Sequence, residues 1–256
     1  MGSECSAQPE TWRIEREMQM LREKKFSAVI LAAGSGKRMG TSVAKQYLPL
    51  LGKPLMVYSL EIFDKSDVDE IVLVVSAGEE EYCRKNIVEK YGIRKVAHII
   101  EGGQERYDSV YAGLQAVSGD YVLIHDSARA FVTGEIIRRA MDELLLYPAV
   151  VVGMPSKDTI KIADSDGFVA LTPPREQAWM IQTPQCFSVS LAKGAYEKIM
   201  RQEHTDITDD AMVVERMTEK RIRLIEGSYE NIKVTTPEDL ALGESILKRR
   251  EGHAFL

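Results

Sequence analysis

An α/β fold, with a mostly parallel sheet flanked by helices, is what the order of apolar segments predicts. Short runs rich in Val and Ile recur at 26–31, 71–75, 96–100, 121–124 and 149–153, too short for helices and long enough for buried strands. Segments with helical spacing lie between most of them, and strand alternating with helix builds a parallel sheet covered on both faces. The first run empties into a loop of small and cationic residues, at the end of a first strand where open α/β sheets bind ligands.

The helical segments can be justified in turn. Residues 54–63 open with Pro54, a favoured first helical residue. Over 105–117, Val110, Leu114 and Val117 share a face. Residues 133–146 open on Thr133 with a Thr-x-x-Glu-like start and carry Ile136, Ala140 and Leu144. After Gly153 the rhythm breaks. Alternating runs at 159–163 and 168–172 flank Asp164-Ser165-Asp166-Gly167, which reads as a β-hairpin outside the βα order and predicts a projecting arm. Helical patterns follow at 191–200 and 209–217, then a strand at 222–225. Asn231-Ile232-Lys233-Val234 reads as a short strand, and Thr236-Pro237-Glu238-Asp239 starts a last helix reaching about Lys248.

Composition narrows the function. The 256 residues carry a net charge of −6, so there is no basic footprint for nucleic acid, and an anionic ligand must be met by locally concentrated cations. No apolar run approaches a membrane span. Cys5, Cys83 and Cys186 are unclustered, as expected of reduced thiols in a cytoplasmic protein, and the histidines are scattered without zinc spacing. Residues 1–25 form an N-terminal extension in which Ile14, Met18 and Leu21 have helical spacing. Residues 26–250 are expected to form one domain that includes the arm at about 157–174.

Four segments carry chemistry. The loop Ala32-Ala33-Gly34-Ser35-Gly36-Lys37-Arg38 leads on to Lys45. Glycine lets backbone N–H groups approach an oxyanion and the cations neutralise it, the chemistry of a polyphosphate clamp. It is not a Walker loop, since Arg38 follows Gly36-Lys37. Nor is it a dinucleotide fingerprint, since Met39 stands at the third glycine. Gly102-Gly103, ahead of Arg106 and Ser109, opens a helix and exposes amide donors. His125-Asp126-Ser127-Ala128-Arg129 follows the fourth strand. Asp126 is placed there to hold Mg²⁺ or a ribose hydroxyl, or to cap a turn, and His125 reads as a packed histidine sooner than as a ligand. Near the C-terminus Lys233 stands at the end of the expected strand, facing a turn. Taken singly, Lys233 and Arg175 read as solvated charges and Trp179 as core.

Together these motifs resemble one family. Leu31-Ala-Ala-Gly-Ser-Gly-Lys-Arg-Met, Lys45-Gln-Tyr-Leu, Gly102-Gly-x-x-Arg-x-x-Ser-Val, His125-Asp-x-Ala-Arg, Asp158-Thr-x-Lys, Gln182-Thr-Pro-Gln and Asn231-Ile-Lys-Val-Thr-x-Pro-Glu-Asp, in this order, resemble the 2-C-methyl-D-erythritol 4-phosphate cytidylyltransferases of non-mevalonate isoprenoid biosynthesis. The likeness runs from about Phe26 to Leu247 and leaves out the N-terminal extension. It departs at Ala130, where the family pattern has proline, and that bears on the rigidity of the loop.

The resemblance implies a Rossmann-like sheet of the nucleotide-diphospho-sugar transferase type. It also implies transfer of CMP from CTP to a sugar-alcohol phosphate, with Mg²⁺ or another divalent cation and release of pyrophosphate. Arg38 and Lys45 are then catalytic. Ala32, Ala33, Gly34, Ser35, Gly36, Lys45, Gly103, Arg106, Ser109, Asp126 and Ala128 surround CTP, with Asp126 also at the metal. Thr159, Arg175, Thr208 and Lys233 serve the acceptor, and the arm makes a homodimer in which Thr159 and Arg175 reach the neighbouring site. The chemistry is consistent: an acceptor phosphate is already an anionic nucleophile, so the site must supply cation density and alignment instead of a Ser, Cys or His nucleophile. Three other readings stay open: a ribitol-5-phosphate cytidylyltransferase, a nucleotide-sugar pyrophosphorylase and a non-catalytic nucleotide-sensing module. Ala32-Ala33-Gly34, where the ribitol enzymes more often have Ala-Gly-Gly, favours the first reading.

Overall fold

The structure is a computed structural model that describes residues 23–34, 44–202 and 206–253. Most of the N-terminal extension, with its expected helix and Cys5, therefore lies outside the described residues. So do Ser35, Gly36, Lys37 and Arg38.

A seven-stranded sheet forms the centre. Its strands are β1 (Phe26–Ala32), β2 (Glu70–Val75), β3 (Val96–Glu101), β4 (Tyr121–Asp126), β5 (Ala149–Pro155), β8 (Trp179–Ser188) and β9 (Arg223–Glu226), in the order β9-β5-β8-β4-β1-β2-β3. Only β8 is antiparallel to its neighbours; the other pairs are parallel. The Rossmann-like expectation thus holds.

The sequence pattern explains the layers. Every residue of β1 is buried, because it sits mid-sheet with helices on both sides. Its side chains alternate between the two faces. Phe26, Ala28, Ile30 and Ala32 meet α1 (Leu55–Lys65) and α3 (Gly134–Leu144), through Leu60, Phe63, Ile136, Ala140 and Leu144. Val29 and Leu31 face α2 (Arg106–Ala116), α4 (Val189–Ile199) and α5 (Asp210–Met217). A third, smaller cluster packs Phe131, Ala128, Ala130, Val234 and Ile246. It docks α6 (Pro237–His253) against the loop after β4, with Gly243 so close to Phe131 that a Cβ there would lie 2.5 Å from the ring.

The hairpin is present as β6 (Ile162–Ala163) and β7 (Val169–Leu171), paired antiparallel, and residues 157–172 are exposed throughout. Gly167 closes its turn with φ +87, a left-handed conformation that suits glycine.

Several boundaries differ from the sequence reading. Pro54 is the N-cap of α1, not its first helical residue. β4 runs two residues further and includes His125 and Asp126, because Leu31 of β1 pairs with Asp126. Asn231–Val234 is not a strand: it has no ladder partner, and its links to the fold are isolated bonds such as Val234 N–H to the Ala128 carbonyl (2.9 Å). The ten-residue β8 went unread because Gln182-Thr183-Pro184 breaks its apolar pattern. Those three residues coincide with a break in its register between Ile181 and Gln185, where proline has no N–H to give.

One glycine fixes how α2 seats on the sheet. A Cβ on Gly113 would fall 2.6 Å from Val29 Cγ1. Gly113→Val should therefore lower stability by roughly 1–3 kcal/mol through overpacking, measured by urea unfolding; an unchanged midpoint would remove Gly113 from the account.

Candidate active site

The C-terminal ends of β1 and β4 open into a cavity of about 300 Å³ lined by Ala32–Gly34, Lys45, Gly103, Arg106, Ser109, Asp126, Ala128 and Lys233. Its walls come from five segments, the loop after β4 and the stretch that carries Lys233 among them. The β1 loop contributes Ala33 and Gly34. A 3₁₀ turn at Lys45–Tyr47 places the Lys45 side chain across Gly34, where a Cβ would sit 3.8 Å from Lys45 Cε. The turn before α2 is packed so tightly that a Cβ on Gly103 would overlap Asp108 at 2.2 Å. Ser109 Oγ accepts the Gly103 N–H (3.1 Å), and the Glu105 and Asp108 side chains cap the helix reciprocally.

Asp126 is the centre of the site. It is buried, and each carboxylate oxygen meets one cation: Oδ1 accepts from Arg106 Nε (3.1 Å) and Oδ2 pairs with Lys233 Nζ (2.6 Å). Burial alone would favour the protonated acid. Arg106, Lys233 and Arg129 outweigh it and hold the carboxyl well below the usual range. Arg106 is itself forked on the buried Asp210 through both terminal nitrogens (2.8 Å each), and Tyr196 donates to Asp210 Oδ1 (2.6 Å). Burial opposes the Arg106 charge, but Asp210 and Asp126 keep it fixed.

Behind Asp126 lies a neutral histidine. His125 Nε2 donates to the Arg129 carbonyl (3.2 Å), which leaves Nδ1 to accept from Thr183 Oγ1 (3.1 Å), and the same hydroxyl accepts the Asp126 N–H (3.1 Å). Burial pulls the His125 pKa from its ordinary 6.5 down to about 4. The packed reading of His125 is thus the one the structure supports. The loop that carries Ala130 is closed by Arg129 N–H to the Asp126 carbonyl (2.9 Å), and His125 and Ser59 both donate to the Arg129 carbonyl, so it is held without a proline.

A second cavity, of about 230 Å³, adjoins the first. Arg106, Asp126 and Lys233 line both, while Arg129, Gln182, Gln185, Thr208 and Asp209 line the second and not the first.

Comparison with known proteins gives the family. A family model described as IspD, 2-C-methyl-D-erythritol 4-phosphate cytidylyltransferase, matches residues 26–249. The chain belongs to this family. A cytidylyltransferase of that name from Lachnoclostridium phytofermentans is 45% identical over 89% of this chain and 98% of its own length. One from Clostridium botulinum (strain 657 / Type Ba4) is 48% identical over 88% and 98%. Among solved structures, the 4-diphosphocytidyl-2C-methyl-D-erythritol synthase of Anaerococcus prevotii superposes with a TM-score of 0.80 at 33% identity, covering 90% of this chain and 99% of that one. The cytidylyltransferase of Thermus thermophilus gives 0.70 at 28% identity, covering 86% and 98%.

Of the family positions carried over from sequence, Ala32, Ala33, Gly34, Lys45, Gly103, Arg106, Ser109, Asp126 and Ala128 converge on the first cavity, with Lys233 between the two and Thr208 on the second. Thr159 and Arg175 do not converge. They sit on the exposed arm, where Arg175 Nη2 donates to Thr159 Oγ1 (3.2 Å), outside both cavities. The sequence reading missed Thr183, Asp209 and Asp210. Of these only Asp209 carried a signal: it precedes an apolar-periodic run, and its Oδ1 accepts Met212 N–H as the N-cap of α5.

His125 makes stability pH-dependent. The unfolded chain takes up its proton below about pH 6.5 and the folded chain not until about pH 4. Stability is therefore full above pH 6.5 and falls between those limits, by about 3 kcal/mol from this group. Chemical denaturation across pH 4–7 should show that fall in the parent and a smaller one in His125→Asn. Equal slopes in the two would contradict a buried neutral histidine.

Proposed function

We propose that the two adjoining cavities divide the work of the family reaction, in which the chain transfers CMP from CTP to 2-C-methyl-D-erythritol 4-phosphate and releases pyrophosphate. The nucleotide takes the larger cavity and the acceptor the smaller. One observation carries this reading: Lys233, Asp126 and Arg106 form a charged wall common to both.

Each residue then has a task the chemistry requires. The amides around Ala33, Gly34 and Gly103 and the residues Ser109 and Ala128 contact base and ribose. Lys45, with Arg38 of the same loop, meets charge developing on the α-phosphate and the leaving pyrophosphate, and removal of such a donor costs on the order of 10²–10³ in turnover. Lys233, with Arg175 and Thr159 from a second subunit and Thr208 nearby, aims the acceptor phosphate. That phosphate needs no general base, which accords with His125 being sealed off and neutral.

A divalent ion fits this donor set in one way. Among the described residues no group of three or more His, Cys, Asp or Glu side chains converges. Asp126 brings its carboxylate to the cavity on its own strand end. Mg²⁺ is characteristically held by one or two carboxylates together with phosphate oxygens and water, so Asp126 with the nucleotide phosphates would suffice. When bound, the ion supplies charge neutralisation for the phosphates.

The arm supports a homodimer. Ile160, Ile162, Phe168, Val169 and Leu171 are all exposed, Phe168 at 72%. A two-stranded hairpin is marginal in water, and a second copy of the same arm is a self-complementary cover. The described cysteines, Cys83 and Cys186, are free and buried, in keeping with a cytoplasmic location.

Pyrophosphate release from CTP should be rapid with 2-C-methyl-D-erythritol 4-phosphate and at background with ribitol 5-phosphate. Preference for ribitol 5-phosphate would move the chain to the sister activity, and release with neither would favour a sensing module. In the same assay, mixing inactive Lys45→Ala with inactive Arg175→Ala should regain activity at one of the two sites of each mixed dimer. No regain would place both residues in one chain.

A further inference from the structure

We infer that Asn231 is the positioning residue for Lys233, fixing the lysine between the two cavities through a buried amide; this rests on Lys233 serving the acceptor phosphate.

Lys233 needs such a fixture. It projects from a segment with no strand ladder, so the backbone beneath it is not held by the sheet. Two attachments bracket it. On one side, Val234 N–H donates to the Ala128 carbonyl (2.9 Å) and the Val234 side chain is buried in the small cluster with Phe131 and Ile246. On the other side stands Asn231, fully buried. Its amide nitrogen donates to Gln182 Oε1 (3.2 Å) and to the Thr183 carbonyl (3.0 Å), the stretch of β8 where the register breaks. Its backbone carbonyl accepts from Arg129 Nη1 (2.8 Å), and Arg129 Nη2 reaches the Ile181 carbonyl (3.2 Å). The Gln182 amide continues the set by donating to the Ser228 carbonyl (2.7 Å).

The residue type follows from this environment. Two carbonyl oxygens, one of a side chain and one of the backbone, face the Asn231 side chain within bonding distance. A short group with two N–H donors satisfies both. Asp offers none, Ser at most one, and Gln is a methylene too long for a fully buried position. A buried carbonyl left without its donor is costly, so the segment is held at this one place in preference to others. Thr183 also accepts the Asp126 N–H, so the strand that anchors Asn231 also orients the carboxylate that Lys233 meets at 2.6 Å. Both members of that ion pair are thereby referred to Thr183 and its neighbour Gln182 in β8.

The test is a cycle on Asn231→Ala, with Asn231→Ser as a milder variant should the first fold poorly, each alone and combined with Lys233→Ala in the full chain. The acceptor kcat/KM and, separately, the CTP dissociation constant are measured. Misplacement of about an ångström at a reacting group costs up to 10²-fold, so Asn231→Ala should lower the acceptor kcat/KM by roughly ten- to a hundredfold, and Asn231→Ser by less. CTP affinity should stay within about twofold of the parent. In the Lys233→Ala background either Asn231 change should cost less than about twofold, since nothing remains to be positioned. An equal cost in both backgrounds, a parallel loss of CTP affinity, or an unchanged acceptor kcat/KM would overturn the inference. If Lys233→Ala itself leaves acceptor kinetics unchanged, the role of Lys233 fails, and with it the ground of the inference.

Discussion

A carboxylate buried at the end of a central strand is unstable unless cations surround it, and Asp126 imposes that demand on distant parts of the chain. Arg106 comes from the start of α2 and Lys233 from the loop before α6, while the Thr183 hydroxyl, in the broken stretch of β8, accepts the Asp126 backbone N–H and holds the strand end in place. Arg106 in turn draws in Asp210 at the start of α5 and, through it, Tyr196 of α4. Removing a partner from such a cluster leaves a buried charge uncompensated, so each member is constrained by the others. The cluster is at once the meeting point of the fold and the wall between two cavities.

The chemistry follows from the same electrostatics. A phosphate acceptor attacking a nucleotide α-phosphate needs positive charge at fixed positions, and a chain of net charge −6 can supply it only by concentrating cations. Lys45 and Lys233 both line the cavity, from separate segments of the chain, while Arg106 is committed to two carboxylates. A neutral, sealed histidine behind Asp126 adds no competing charge.

Much of this was legible in the sequence, and the reasons are local. β1, β2, β4 and β5 announced themselves because parallel strands buried on both faces are nearly unbroken apolar runs, and the edge strand β3, partly exposed, was still legible from Val96, Ile99 and Ile100. The helices α2 and α3 showed their apolar stripes, and the Asp-Gly turn marked the arm. The site loops were legible because glycines and cations cluster at strand ends. What escaped was set by long-range contacts. β8 hides behind Gln182-Thr183-Pro184, whose polarity makes sense only beside Asp126 and Asn231. Asn231–Val234 has the composition of a strand but no neighbour to pair with, so it remains a loop held by side chains. The partnership of Arg106 with Asp210 spans 104 residues, and no spacing rule announces it.

The central claim is that the Asp126 carboxylate organises both cavities, and its near-isosteric replacement tests it most directly. Asp126→Asn keeps the shape and removes the charge that Arg106 and Lys233 meet. Turnover with CTP and 2-C-methyl-D-erythritol 4-phosphate, titrated with Mg²⁺, should fall on the order of 10²–10³, with more Mg²⁺ needed to reach half-maximal rate. Turnover near that of the parent, with an unaltered Mg²⁺ dependence in a folded variant, would contradict the account.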